Sequence, residues 1–253
     1  MNHKLVFINS DKKPECIELE QNTSQINTSD IVTEINNDIS SLKYYIFNDI
    51  KLFLNTNIDN IVSQDTIFFS CKNCDDIVNG LSKKTNKSIS ALCPRMIEHK
   101  YLNNVANIHK IVSKDFCKSQ YKSVCCLANS LLEDIDRIAD MLSQFIYSLI
   151  ENINKLEFFQ LNLVLRELLT NAVKHGNRLD KSKHIVFVMF FNILERKLGF
   201  AVQDEGNGFD FKKHLKTIEK DELRINERGL FLINEFCNKI YSKNNLLIVE
   251  LKS

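Results

Sequence analysis

Two glycine-containing segments in the last third of the chain have residue types suited to binding an anionic ligand. Segment 204–210 reads DEGNGFD and follows a predicted strand. Glycines at alternate positions let its backbone bend close to a flat or anionic ligand. Segment 228–230 reads RGL at the predicted start of a helix, where unpaired backbone N–H groups and the helix dipole favour a phosphate. Either segment alone is common in ordinary loops.

A third polar feature lies upstream on a predicted helix over Glu157–His175. Glu167 and Asn171 are four residues apart, so a helix places the carboxylate and the carboxamide on one face. Such pairs usually belong to the solvated side of a helix. A separate apolar stripe predicts the buried face: Leu161, Leu165, Leu168 and Ala172. Gly176 is expected to end the helix as a C-cap.

Length and charge limit what surrounds these segments. A chain of 253 residues favours two domains, which we place at 1–118 and 119–253. With 33 Lys and Arg against 32 Asp and Glu, the net charge is +1. This balance gives no reason to expect direct nucleic-acid or membrane binding. Neither a long apolar run nor a signal-peptide pattern is present, so we expect a cytoplasmic protein.

The N-terminal part alternates predicted strands with predicted helices, which suggests a small α/β domain. The strands are Leu5–Ile8, Tyr44–Phe47, Thr66–Ser70, Ser88–Leu92 and Ile111–Phe116, and the helices are Asp75–Lys84 and Met96–Lys110. This alternation resembles a receiver domain of two-component signalling, in which Asp11 or Asp49 would accept a phosphoryl group. Either acid is more often just a loop residue at the end of a strand.

The eight cysteines are too sparse for a disulfide scaffold in a chain of this length. Cys71 and Cys74 have the two-residue spacing of a zinc-ligand pair, with Cys93 and His99 as further candidate ligands. The second pair lacks the tight spacing of a zinc site. Reduced thiols buried as small apolar groups are therefore the competing interpretation.

The rest of the chain alternates long helices with hairpins. Apolar residues at helical spacing predict a long helix or helix pair over Ser123–Asn154. Its apolar stripe fits either an intramolecular core or the seam of a homodimer. Further on, His184–Phe191 and Leu198–Gln203 are predicted to pair as one hairpin, and Lys239–Ser242 and Leu246–Leu251 as a second. Between the hairpins, Phe211–Asn226 is a charged loop and Gly229–Cys237 a helix.

The three motifs in this order resemble the ATP-binding fold shared by gyrase, MutL and histidine kinases. They are most similar to its anti-sigma-factor serine kinase branch, the bacterial partner-switching kinases, over residues 123–253. The resemblance implies an α+β two-layer sandwich in the C-terminal half, with a mixed sheet covered by helices. It also implies binding of ATP and Mg²⁺. It says nothing about residues 1–118.

The resemblance also assigns roles to individual residues. Glu167 would be the general base, and Asn171 would coordinate the Mg²⁺ that bridges the phosphates. Asp204 would accept a hydrogen bond from the adenine amino group. The remaining nucleotide-binding residues would be Lys174, His175, Gly206, Gly208, Phe209, Arg228, Gly229 and Leu230. For Lys174 and His175, an ordinary solvated helix end is an equal alternative.

The implied activity is phosphorylation of Ser or Thr on a small antagonist protein, combined with sequestering of a sigma factor or similar regulator. One departure favours a different function. Glu227 stands where the family usually has a glycine, which adds a negative charge near the expected phosphates. A nucleotide-binding module that sequesters a partner without phosphoryl transfer therefore stays open. No histidine followed by an acid precedes the site, which argues against an autophosphorylating histidine kinase.

Overall fold

The computed structural model divides the chain into two compact units, Met1–Cys126 and Leu127–Ser253. The residues that it describes are 3–8, 15–18, 23–25, 42–47, 50–55, 67–70, 74–83, 85, 87–97, 99–117, 119–149, 155–192, 194–208, 211 and 228–252. Several sequence-based expectations concern residues outside these ranges: Asp11, Asp49, Cys71, Phe209, Glu227 and nearly all of the charged loop after Phe211.

The N-terminal unit is built on a largely parallel sheet. Its strands are β1 (His3–Ile8), β2 (Glu15–Glu18), β3 (Thr23–Gln25), β4 (Leu42–Phe47), β5 (Ile67–Ser70), β6 (Ile89–Leu92) and β7 (Lys122–Asn129). Their order is β3-β2-β1-β4-β5-β6-β7. The pairs from β1 through β4, β5 and β6 to β7 are parallel, and the β1–β2 and β2–β3 pairs are antiparallel.

Helices cover both faces of this sheet. They are α1 (Ile50–Asn55), α2 (Cys74–Ser82) and α3 (His99–Ile111). Consecutive residues of a strand point to opposite faces, and β5 shows the consequence. The Phe69 ring stacks on Phe53 of α1 at 4.8 Å between centroids, whereas Phe68 packs edge-on against His109 of α3 at 5.1 Å. The α/β character expected for this half is therefore present.

Three sequence-based expectations for this region were wrong. The predicted strand Ile111–Phe116 is a π-helical turn, Val112–Phe116, that continues α3 and buries Val112 and Phe116. The start of the predicted long helix is instead strand β7, whose consecutive buried residues lack an alternating pattern because a parallel strand is covered on both faces. The strand order of the described sheet also differs from that of a receiver domain. Its parallel strands lie side by side in the order in which they occur in the chain, β1-β4-β5-β6-β7, whereas in a receiver sheet the second strand lies on the far side of the first.

The C-terminal unit contains strands β8 (His184–Asn192), β9 (Lys197–Gln203), β10 (Cys237–Lys243) and β11 (Leu246–Leu251). Both predicted hairpins form, and β9 pairs with β11 between them. In the first hairpin the register runs from Val186 opposite Gln203 to Asn192 opposite Lys197. Asn244, in the turn of the second, has a φ of 54°, which asparagine tolerates better than most residues.

Among the described residues of this unit, the second layer includes α4 (Leu132–Leu149), α5 (Lys155–Asn171) and α6 (Arg228–Phe236). The predicted stripe Leu161, Leu165, Leu168 and Ala172 is buried. Helices α4 and α5 are also joined by polar contacts, in which Arg166 Nη2 lies 2.8 Å from Asp140 and Asn162 donates to Ser143 at 3.0 Å. The two-layer α+β architecture predicted for this half is confirmed, and it places α5 against β9 on one side and α6 on another.

The end of α5 differs from the expected C-cap. The helix passes into a π-helical turn, Ala172–Gly176, closed by a 2.7 Å hydrogen bond from the Asn177 N–H to the Ala172 carbonyl. Left-handed backbone occurs just beyond it, at Arg178 and Leu179, and not at Gly176. A π turn inserted in a helix often marks a functional region. The contacts of Gly176, given below, explain why a glycine stands there.

Candidate nucleotide site

The pair Glu167 and Asn171 lies near the C-terminal end of α5, and both side chains are half-buried. Burial raises the pKa of the Glu167 carboxyl, and the positive charge of Lys174 acts in the opposite direction. The Nδ2 atom of Asn171 is buried and has no hydrogen-bond partner within the part of the chain that the structure describes. Buried polar atoms are nearly always paired, so this carboxamide has unused bonding capacity.

Asp204 lies against Gly176, the last residue of the π turn that follows α5. A Cβ atom added to Gly176 would overlap the Asp204 carboxylate, so only a glycine permits this approach. The side chain is buried, with 8% of its surface exposed. Burial raises the pKa of the Asp204 carboxyl, and the Gly206 N–H, which donates to Oδ1 at 2.7 Å, opposes that shift. The fold thus holds an acid at the end of β9 in a largely desolvated position.

The two loop glycines meet neighbouring backbone. A Cβ on Gly206 would overlap the carbonyl of Gly176, and one on Gly208 would overlap the carbonyl of Asn244. Gly208 also has a φ of 77°, a conformation that favours glycine. The loop after β9 is therefore wedged between the end of α5 and the β10–β11 turn, and the glycine spacing seen in the sequence reflects these two contacts.

Two asparagines that sequence reasoning did not assign to the site hold this loop. Asn177 is fully buried, accepts a hydrogen bond from the Glu205 N–H at 2.7 Å and donates one to the His184 carbonyl at 3.1 Å. Asn245 exchanges hydrogen bonds with the Asp204 backbone: its carbonyl accepts from the Asp204 N–H at 3.2 Å, and its side chain donates to the Asp204 carbonyl. The only signal in the sequence was the position of each asparagine at the end of a predicted element.

The third motif is brought to the first by the packing of α6 on α5. Arg228 is the first residue of α6. A Cβ added to Gly229 would overlap Oε2 of Glu167, so the carboxylate lies against the first turn of α6. Leu230 is half-buried one residue later. Three motifs that are separated in sequence thus meet around one helix.

The remaining candidate residues differ in how the structure places them. Lys174 and His175 are exposed within the π turn. Lys174 still acts on Glu167 through its charge, whereas His175 makes no hydrogen bond or ion pair with the site residues that the structure describes. Phe209 and Glu227 lie outside the described residues.

A narrow cleft opens between the α5 end and the strand layer. Its lining residues are Leu168, Asn171, Ala172, Val202, Asp204, Asn244, Asn245, Leu246 and Leu247. The enclosed part measures about 10 Å³, room for about one water molecule.

A zinc centre is not formed by the described residues. They contain no group of three or more His, Cys, Asp or Glu side chains that could hold a metal ion. Cys71 lies outside this part of the chain, and Cys93 is half-buried with a free thiol. Within the same residues, no helix is long and apolar enough to cross a membrane.

Comparison with known proteins agrees with the geometry. Residues 128–252 match the family described as the histidine kinase-like ATPase domain. The match spans nearly the whole of the C-terminal unit. The described strands and helices of this unit all lie within the match, together with every candidate site residue.

The similarity extends to individual kinases. The chain is 33% identical over 85 residues to the serine-protein kinase RsbW from three Staphylococcus aureus strains, bovine RF122 / ET3-1, MRSA252 and JH9. The match covers 31% of this chain and 53% of each relative, so the chain spans about half the length of the curated relatives it matches. The resemblance to the anti-sigma-factor kinase branch is confirmed for this half.

Proposed function

We propose that the protein is an ATP- and Mg²⁺-dependent serine/threonine protein kinase of the partner-switching type. One observation carries the proposal: the Glu167 carboxylate lies against the first turn of α6, and the Asp204 carboxylate lies against Gly176, nine residues further along the same helical segment. A base and an acid suited to an adenine amino group, at two separate points along one segment, would serve the two ends of ATP. The similarity to serine-protein kinases supports the same reading.

The residues present fit the nucleotide and its metal. Asp204 would accept a hydrogen bond from the adenine amino group, and the glycine loop would pass close to the base. Asn171 would hold the Mg²⁺ through its side-chain oxygen, because amide oxygens are ligands of hard cations, and its buried Nδ2, which has no partner among the described residues, would donate to a phosphate oxygen. The N–H groups of Gly229 and Leu230 would face the phosphates. When bound, ATP supplies the phosphoryl group and Mg²⁺ neutralises its charge.

Glu167 would take the proton from the hydroxyl of the protein substrate. A carboxylate in water is a weak base near neutral pH, and burial raises the pKa of Glu167, which makes it a better proton acceptor. The charge of Lys174 opposes that rise and favours the ionised form of the carboxyl, which is the form that accepts a proton. The remaining work of the site is positioning and charge stabilisation, as in other phosphoryl transfers.

The protein substrate would be a small antagonist protein, and the second partner a sigma factor or a similar regulator, both in the cytoplasm. The test uses the purified chain with Mg²⁺, labelled ATP and a candidate antagonist. Wild type should transfer label to Ser or Thr. Glu167→Gln should abolish transfer while ATP still binds, because glutamine keeps the size of the side chain without its basicity. Unchanged transfer in that variant would remove Glu167 from the mechanism.

A second candidate is a nucleotide-binding module that sequesters a partner without transfer, with the N-terminal unit as sensor. Glu227 favours it, because a negative charge beside the phosphates opposes binding and transfer. Calorimetry separates the two candidates. Nucleotide binding without transfer to any partner supports the module, and in either case Asp204→Asn should weaken adenine nucleotides more than guanine nucleotides.

A further inference from the structure

The contact between Gly229 and Glu167 joins two motifs that are otherwise assigned separate roles. A Cβ built on Gly229 would lie 2.8 Å from Cδ and 3.5 Å from Cγ of Glu167, and closer still to Oε2. These three atoms are the nearest neighbours of that position. The space that a side chain at residue 229 would need is therefore occupied by the Glu167 carboxylate.

The Glu167 side chain can yield because it is long, only half-buried, and meets residue 229 with its flexible far end. A methyl group at residue 229 would be accommodated by rotation of the carboxylate into solvent, with the backbone unchanged. That rotation would remove the carboxylate from the first turn of α6, where the positive end of the helix dipole favours a negative charge. It would also change its distance from Lys174, the cation that acts on its pKa.

We propose that Gly229 is a positioning residue for Glu167: the missing side chain at residue 229 provides the place where the carboxylate rests against α6. This inference rests on the proposed kinase function for its consequence in catalysis, but the contact itself does not depend on that function. It assigns Gly229 a role that the backbone N–H alone does not give, since alanine would supply the same N–H.

The first experiment uses full-length protein labelled at glutamate carboxyl carbons, with the Glu167 NMR signal assigned by its loss in Glu167→Gln. In Gly229→Ala, the carboxyl should titrate at lower pH than in wild type, because the displaced group is better hydrated. Asn234→Ala, an exposed substitution on the same helix, should leave the titration unchanged. An unchanged Glu167 signal and titration in Gly229→Ala would overturn the proposal.

The second experiment compares thermal unfolding in two backgrounds. With Glu167 replaced by Ala, the space beside residue 229 is open, so Gly229→Ala should raise the Tm, because alanine favours a helix over glycine. With Glu167 present, the gain should be smaller or absent. The same change of Tm in both backgrounds would show that the added methyl group does not meet the carboxylate, and would also overturn the proposal.

Phosphoryl-transfer assays then distinguish the proposed kinase function from the proposed positioning of Glu167 by Gly229. If the kinase function holds, Gly229→Ala should lose about tenfold or more in kcat, since a misplacement of about 1 Å can cost that much. Its affinity for ATP should stay within about threefold, because the backbone N–H groups remain. Wild type without transfer would refute the proposed function, and the NMR and unfolding results would still decide the contact.

Discussion

Replacing Asn177 with alanine tests how the Asp204 loop is held. The side chain is fully buried and bonds two backbone groups from different elements. These are the N–H of Glu205, at 2.7 Å from Oδ1, and the carbonyl of His184, at 3.1 Å from Nδ2. Alanine removes both hydrogen-bonding atoms and leaves the two backbone groups without these partners.

The expected loss follows from those two groups. Leaving a buried backbone donor or acceptor unsatisfied costs about 1–3 kcal/mol. Glu205 and His184 are only half-buried, so water can satisfy part of their bonding capacity. We therefore expect the free energy of unfolding of the C-terminal unit to fall by about 2–4 kcal/mol. The loop beside Asp204 should open more readily than the strands, because Asn177 contacts its backbone directly.

The assay must resolve one unit of a two-unit chain, in which unfolding need not be a single transition. The chain contains no tryptophan, so circular dichroism in denaturant follows overall unfolding and hydrogen exchange reports individual amides. The Glu205 and Gly206 amides should exchange much faster in Asn177→Ala, and Asn234→Ala serves as an exposed control. A loss below about 0.5 kcal/mol with unchanged exchange of these amides would refute the reasoning.

Two further predictions concern charged side chains, Asp204 in the C-terminal unit and Lys83 in the N-terminal unit. Burial raises the pKa of Asp204 in the folded protein, so its protonation contributes stability that is present below the unfolded pKa and is lost as pH rises through the folded pKa. Wild type should therefore lose free energy of unfolding between pH 3 and 7 relative to Asp204→Asn in denaturation experiments. Parallel plots of the free energy of unfolding against pH for the two proteins would contradict this prediction. In the N-terminal unit, Lys83 Nζ donates to the Phe53 and Leu54 carbonyls at 2.7 and 2.8 Å and lies 5.0 Å from the Phe53 ring. Lys83→Met should therefore lower that unit's stability by about 1–2 kcal/mol in a denaturation assay, whereas Lys110→Met, at an exposed position of α3, should not.

The sequence predicted the C-terminal half better than the N-terminal half for a physical reason. In the C-terminal half, long helices with one apolar stripe and hairpins with polar turns have distinct periodicities. The β8–β9 hairpin and the buried face of α5 were accordingly confirmed. Strand β7 lacks an alternating pattern because it is covered on both faces, and the five-residue π turn after α3 is too short to show a helical period. Each was assigned to the wrong class.

The candidate site was only partly visible in the sequence. Glu167, Asp204 and the glycines have residue types that suggest chemistry, so they could be chosen from the sequence. Asn177 and Asn245 act by hydrogen bonding to the backbone of segments far away in the chain, at separations of 28 and 41 residues. Nothing local to either asparagine specifies such a partner. Their importance depends on the tertiary fold, which a single sequence does not give.

The glycines of the three motifs share an explanation that motif matching alone does not provide. Of Gly176, Gly206, Gly208 and Gly229, only Gly208 has a positive φ. Backbone conformation therefore does not require glycine at the other three positions. In each case an added Cβ would overlap a specific neighbour, which for Gly176 and Gly229 is a candidate site carboxylate. Glycine at these two positions therefore controls where Asp204 and Glu167 can lie. It follows that alanine at either position should disturb the placement of an acid more than it disturbs the fold, which makes the pKa of the neighbouring carboxyl the measurement of choice.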